Sequence, residues 1–122
     1  MELYIDFNSD EAIYVQLCNQ IILGIATNRI REGESLPSVR TLAGNIGINM
    51  HTVNKAYGIL KQEGFVKVDR RRGAVVSVDP DKVRVLERMK KELAVSVATC
   101  ILNDVSRDEA HKLIDELYDM FL

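Results

Sequence analysis

Apolar positions along this chain run at helical spacing, then at strand spacing, then at helical spacing again. Ile13, Leu17, Ile21 and Ile25, with Ile22 beside them, recur every three or four residues, and Asp10 stands where an N-cap would. That predicts a helix over 11–30, ended by Gly33 and by Pro37, whose ring biases the preceding residue to extended geometry. The opening MELYIDF alternates weakly, as a short edge strand or an extended arm does. Ser38 caps a second helix over 39–46 with Val39, Leu42, Ala43 and Ile46 on its inner face. Gly47 supplies a turn at positive φ, and Ile48 fills the gap between helices. Asn49 caps a third helix over 50–63, with Val53, Ala56, Tyr57 and Leu60 inward and Gly64 closing it. The period then drops to two. Phe65, Val66 and Val68 lead into a strand, 70–73 turn, and Val75, Val76 and Val78 return.

After the Asp79-Pro80 pair the helical period resumes. Aspartate as cap and proline at the first helical position predict a helix over 80–103, striped by Leu86, Met89, Leu93, Val97 and Cys100. The run Ser106-Arg107-Asp108-Glu109 has the form of a capping box, opening a last helix with Ala110, Leu113, Ile114, Leu117, Tyr118 and Phe121 on one face. The fold class expected is mostly α with a small β wing. A winged helix-turn-helix domain spans 1–78, and a two-helix tail spans 79–122. The tail's apolar faces need cover. Leu86, Met89, Leu93, Val97, Leu113, Leu117 and Phe121 are candidate dimerisation residues in a two-fold homodimer; the competing arrangement is a hairpin folded onto the first helix in a monomer.

With 122 residues the chain has room for one small domain and an appendage. Its net charge of −2 would argue against a nucleic-acid partner if charge were spread evenly. It is not: 34–78 hold seven Lys/Arg against three Asp/Glu, and 79–122 hold seven against ten. Screening over about 8–10 Å makes the local basic patch the relevant quantity. Cys18 and Cys100 lie in apolar helical stretches without metal-ligand spacing, and the start of the chain does not read as a signal peptide. Buried free thiols in a reducing cytoplasm are the expectation. Residues 12–28 carry no charge, but Gln16, Asn19 and Gln20 interrupt that run, so no membrane span is expected. His51 and His111 are the only histidines, and no phosphate loop, nucleophile elbow or HExxH motif is present. Neither an enzyme, nor a metal, nor a cofactor is expected.

The third helix of a helix-turn-helix can enter a major groove by its first turn. Asn49, Met50, His51, Thr52, Asn54 and Lys55 are then free to point outward, because Val53, Ala56 and Tyr57 are needed inside. Asparagine, threonine and histidine can hydrogen-bond base edges; a methionine or threonine methyl can touch a thymine methyl. Ser38 begins the second helix, whose free backbone N–H groups suit phosphate. Arg40, in that helix's first turn, is badly placed for a cation on dipole grounds, which points to an external anion or a guanine edge as its partner. Arg70, Arg71, Arg72 and Gly73 form a basic hairpin tip suited to the DNA backbone or minor groove. A solvated basic turn is the plainer alternative.

The stretch 13–66, from IYVQ through LPSVRTLA and GIN to TVNKAYGILKQEG, resembles the N-terminal domain of GntR-family bacterial transcription regulators. Its short two-helix tail resembles the YtrA subfamily. The resemblance implies DNA contacts for Arg40, for the cap region Asn49 to Thr52, and for the wing. It also marks departures. Proline and asparagine often stand in that subfamily where this chain has Met50 and His51, and Arg71 replaces the first glycine of a G-x-G wing, Gly73 being the second. The function expected is a sequence-specific regulator, a homodimeric repressor on a palindromic operator in double-stranded DNA. A winged-helix module that binds protein instead is the alternative, and no residue pattern specifies a small-molecule effector.

Overall fold

The computed structural model describes residues 1–122 as five helices and a two-stranded antiparallel sheet. In chain order these are α1 (Ile13–Ala26), α2 (Val39–Ile46), α3 (Met50–Gln62), β1 (Val66–Asp69), β2 (Gly73–Val76), α4 (Lys82–Leu102) and α5 (Arg107–Phe121). The chain divides into two compact units, Met1–Asp79 and Pro80–Leu122.

In the first unit α3 packs against α1, α2 and β1. Leu17 and Ile21 of α1, Val53 and Leu60 of α3, and Val76 of β2 are completely buried where these elements meet. Leu42 and Ala43 bury the inner face of α2, with Val39 and Ile46 half-buried at its ends. Local signals fix these helices. The Ser38 hydroxyl accepts from Thr41 N, and the Asn49 carboxamide accepts from His51 N. Gly47, at φ 80°, lets both its own N–H and that of Ile48 reach the Ala43 carbonyl. Gly64, at φ 83°, ends α3 where a Cβ would stand 3.0 Å from the Asp79 carbonyl oxygen, so geometry and space both demand glycine.

The wing pairs Val66 with Val76 and Asp69 with Gly73, so the strands sit slightly off the expected ranges and Val78 lies beyond β2. It also has a third edge. Ser35 bridges to Val75, and three further bonds join the same segments: Gly33 N to Val76 O, Val76 N to Glu34 O, and Leu36 N to Ala74 O. Nothing in the polar REGES sequence alternates, so this edge has no local signature.

Two expected features differ, and of the two forms expected for the N-terminal segment one is realised. Asp10 does not cap α1; Ala12 occupies that position without a side-chain bond, and the helix stops at Ala26 instead of running to 30. The chain reverses there, with Asn28 at φ 60° and Ile30 N bonded to the Gly24 carbonyl, which brings Ile30 onto the helix's last turn. MELYIDF is an arm, not a strand. Ile5 is buried, and two glutamines one turn apart on α1 hold the arm's backbone: Gln16 bonds both N–H and carbonyl of Asp6, and Gln20 does the same for Tyr4. Finally, α4 begins at Lys82 with Asp81 as its cap, so Asp79 and Pro80 stand outside the helix. Asp79 is committed elsewhere, its N–H donating to the Gly64 carbonyl at 2.7 Å.

In the second unit the capping box forms, with Ser106 and Glu109 each bonding the other's backbone. No residue of α4 or α5 is buried. Around their connection Val97, Cys100 and Ile101 of α4 line one cavity with Ala110 and Ile114 of α5, but the two helices do not pack along one another. Leu86, Met89, Leu93, Val97, Leu113 and Leu117 are all exposed, and Phe121 is half-buried. Cys18 is buried and donates to the Ala56 carbonyl, burial and Glu63 pushing its thiol pKa up. Cys100 is only half-buried, in a helix none of whose residues is buried.

Candidate nucleic-acid interface

The tight turn at Gly47 brings the starts of α2 and α3 onto one surface. Val39, Asn49, Met50, His51 and Asn54 line a single, mostly apolar notch there. Tyr57 fixes the approach to α2 from below, its hydroxyl donating to the Pro37 carbonyl at 2.7 Å. Burial in this place pushes the Tyr57 phenol up to about 12, so it is a neutral donor at physiological pH.

The side chains expected to meet DNA fall into two groups. Ser38 and Asn49 use their oxygens on helix caps; Ser38 also donates to the Thr41 hydroxyl at 2.8 Å. Arg40, Met50, His51 and Asn54 are exposed, and Thr52 is half-buried. Met50 is 44% exposed, whereas the other large apolar side chains of α3 are buried or half-buried. Lys55 is exposed as well, but its ammonium lies 3.9 Å from the centroid of the Tyr14 ring. A cation–π contact of this kind contributes about 0.5–1 kcal/mol at a surface and fixes where the charge stands.

The wing tip is built by Asp69. Its carboxylate accepts from Arg71 N at 2.7 Å and Arg72 N at 3.1 Å, folding 70–72 into a compact turn. Those two backbone bonds, helped by the Arg72 charge, hold the Asp69 carboxyl below its ordinary range. The three arginines are exposed, yet they are not equivalent. The Arg72 guanidinium donates to the Gly33 carbonyl and ties the tip to the third edge of the wing. A second groove, about 470 Å³, runs between α3 and the wing and is lined by Ser38, Asn54, Gly58, Lys61, Val68 and Gly73 among others. Ser38, Asn54 and Gly73 are thus brought together from three separate elements.

Sequence reasoning missed Val39, Tyr14 and the two arm-holding glutamines. The signal for the last was present: Gln16 and Gln20 are polar residues four apart inside an uncharged, largely apolar run. A buried polar side chain there must find partners, and the arm supplies them.

The family description "Bacterial regulatory proteins, gntR family" matches residues 11–76. The chain belongs to the GntR family. It is 31% identical over 118 residues to the HTH-type transcriptional repressor YtrA of Bacillus subtilis, covering 94% of this chain and 91% of that one. A solved structure of YtrA from Sulfolobus acidocaldarius, described as a GntR-family transcription factor, shares 37% identity with a TM-score of 0.60 and covers 97% of each chain. A structure from Listeria monocytogenes EGD-e, described as a transcriptional antiterminator, aligns at 27% identity with a TM-score of 0.84, over 97% of this chain and 90% of that one. The GntR chain here is therefore YtrA-like along its whole length, with a winged helix followed by two helices. None of those helices is long and apolar enough to cross a membrane.

Proposed function

We propose that this GntR-family chain is a sequence-specific DNA-binding regulator, acting in the cytoplasm as a homodimeric repressor on a palindromic operator. The observation that carries the reading is the surface shared by the starts of α2 and α3. Arg40, Met50, His51 and Asn54 are exposed there without a structural reason to be, beside a wing tip carrying Arg70 and Arg71. Arginine can bond O6 and N7 of a guanine, and asparagine N6 and N7 of an adenine, while tip arginines neutralise phosphate.

The tail supports the homodimer. Helices of 21 and 15 residues with apolar stripes and no buried residue are marginal alone in water. Since α5 does not fold back along α4, a second copy is the natural cover for Leu86, Met89, Leu93, Val97, Leu113, Leu117 and Phe121. A two-fold dimer presents two α3 helices to two half-sites.

Binding isotherms over a salt series, on random duplex and on duplex selected from a random pool, test the DNA reading. The expected result is salt-dependent affinity for both and a marked preference for the selected duplex, lost in Arg40→Ala. Absence of affinity, or affinity without a salt slope, sinks it. Sedimentation of Leu93→Asp and Leu117→Asp tests the dimer, and variants that still sediment as dimers contradict the interface.

A further inference from the structure

The notch at the starts of α2 and α3 has a chemistry more specific than a general groove contact. Val39 and Met50 are the first residues of their helices, and they supply its apolar walls. Asn49, His51 and Asn54 supply its polar edge. Val39 is half-buried and packs on the core at its inner side, so its position is fixed. Met50 is exposed and is the one large apolar side chain of α3 left open to solvent. An apolar recess with a polar rim, on the surface that meets a major groove, matches one feature of DNA above others. Thymine's C5 methyl is the only apolar group that the bases present there, and it lies beside the O4 acceptor and the partner adenine's N6 and N7.

We propose that this notch seats the C5 methyl of a thymine, between the Val39 and Met50 side chains, making Val39 a specificity-determining residue. The Asn54 carboxamide, on the same rim, is placed to address the paired adenine. Asn49 contributes less, because its oxygen is held by the His51 N–H at 2.7 Å. The inference rests on the DNA-binding reading above and adds an A·T pair, read through its methyl group, to each half-site.

The test removes the methyl and nothing else. Duplexes are first selected from a random pool by the full-length protein. Each thymine of the selected site is then replaced singly by deoxyuracil, which keeps pairing and hydrogen-bonding groups intact. At one thymine per half-site the affinity of the wild type should fall about fourfold, the loss expected for one buried methyl group. Met50→Ala and Val39→Ala should bind the thymine and uracil duplexes equally, and Met50→Leu should restore the difference. Met50 is exposed, so its alanine variant keeps the test sound even if Val39→Ala loosens the fold. Indifference of the wild type to every uracil substitution overturns the notch while leaving DNA binding in place. A methyl effect that survives in both alanine variants locates the contact elsewhere and also overturns it. Failure to enrich any sequence from the pool would remove the DNA reading itself.

Discussion

Replacing Gln16 by leucine should detach the N-terminal arm and cost the first unit much of its stability. Gln16 is 8% exposed, and its carboxamide makes three bonds: Asp6 N at 2.9 Å, the Asp6 carbonyl at 3.0 Å and the Glu11 carbonyl at 2.9 Å. Leucine keeps most of the volume but satisfies none of the three backbone groups. Each bond contributes about 0.5–1.5 kcal/mol, and these are partly buried, so water recovers only a share on release; a loss of about 2–3 kcal/mol follows. For a domain of this size that corresponds to a melting point lower by roughly 10–20 °C, compared at equal protein concentration because assembly shifts the midpoint. Hydrogen exchange supplies the local reading, since the Asp6 amide should lose protection before the helices do. Gln20→Leu is the internal comparison. Its pair with Tyr4 is exposed, so water replaces it at little cost. A Gln16→Leu variant that melts within about 2 °C of the wild type and keeps its Asp6 amide protected would refute the reasoning.

Gly58 is an exposed helical glycine with open space where a Cβ would be, so Gly58→Ala should raise stability by about 0.5–1 kcal/mol in a denaturant titration; a less stable variant would contradict the open space at this position. If the α3–wing groove admits the DNA backbone closely, the same variant binds duplex more weakly while folding better. Alanine at Arg70 and Arg71 should lower affinity on all sequences and reduce the salt slope by about one per arginine, whereas Arg72→Ala should chiefly expose the Gly33–Leu36 edge to hydrogen exchange; equal slopes for all three would refute that division. Tyr57 gives a pH dependence: its folded pKa is raised to about 12 above an unfolded value near 10, so its stabilisation is complete below about pH 10 and is lost as pH climbs to 12. In Tyr57→Phe, alkaline melts should lose that component of the decline, and an unchanged profile would contradict it.

Most of the fold was legible because its decisive signals are local. Ser38, Asn49 and Ser106 cap the helices they precede, and Gly47 and Gly64 take the positive φ that their turns require. The features that escaped depend on residues distant in sequence. The arm is held across ten and sixteen positions by Gln16 and Gln20, and the third edge of the wing pairs Glu34–Leu36 with β2. Asp79 looked like a cap, being aspartate before proline, but a bond to Gly64 takes its backbone and Asp81 caps α4 instead. Within the candidate site, composition marked the right segment without dividing its labour. A serine or asparagine at a helix start serves a cap and a DNA contact equally well as a letter, and only geometry shows which group its oxygen already holds.

That division bears on how such a surface can change its target. Ser38 and Asn49 are tied into caps worth about 0.5–2 kcal/mol each, so substituting them weakens the scaffold together with any contact they make. Asp69 is similarly committed to the wing turn, and Arg72 to its third edge. Arg40, Met50, His51 and Asn54 carry no such duty. They can vary with little loss of fold, and Met50 and His51 are where this chain departs from the proline and asparagine frequent in its subfamily. On the proposed DNA reading, base preference rests mainly on side chains that stability leaves free, half-buried Val39 being the exception, next to caps that stability does not leave free. If that reading holds, exchanging two or three of these exposed side chains should change the preferred duplex while every turn that aims them, and the melting point, stay fixed; a selection on such variants that returns the wild-type sequence would contradict it.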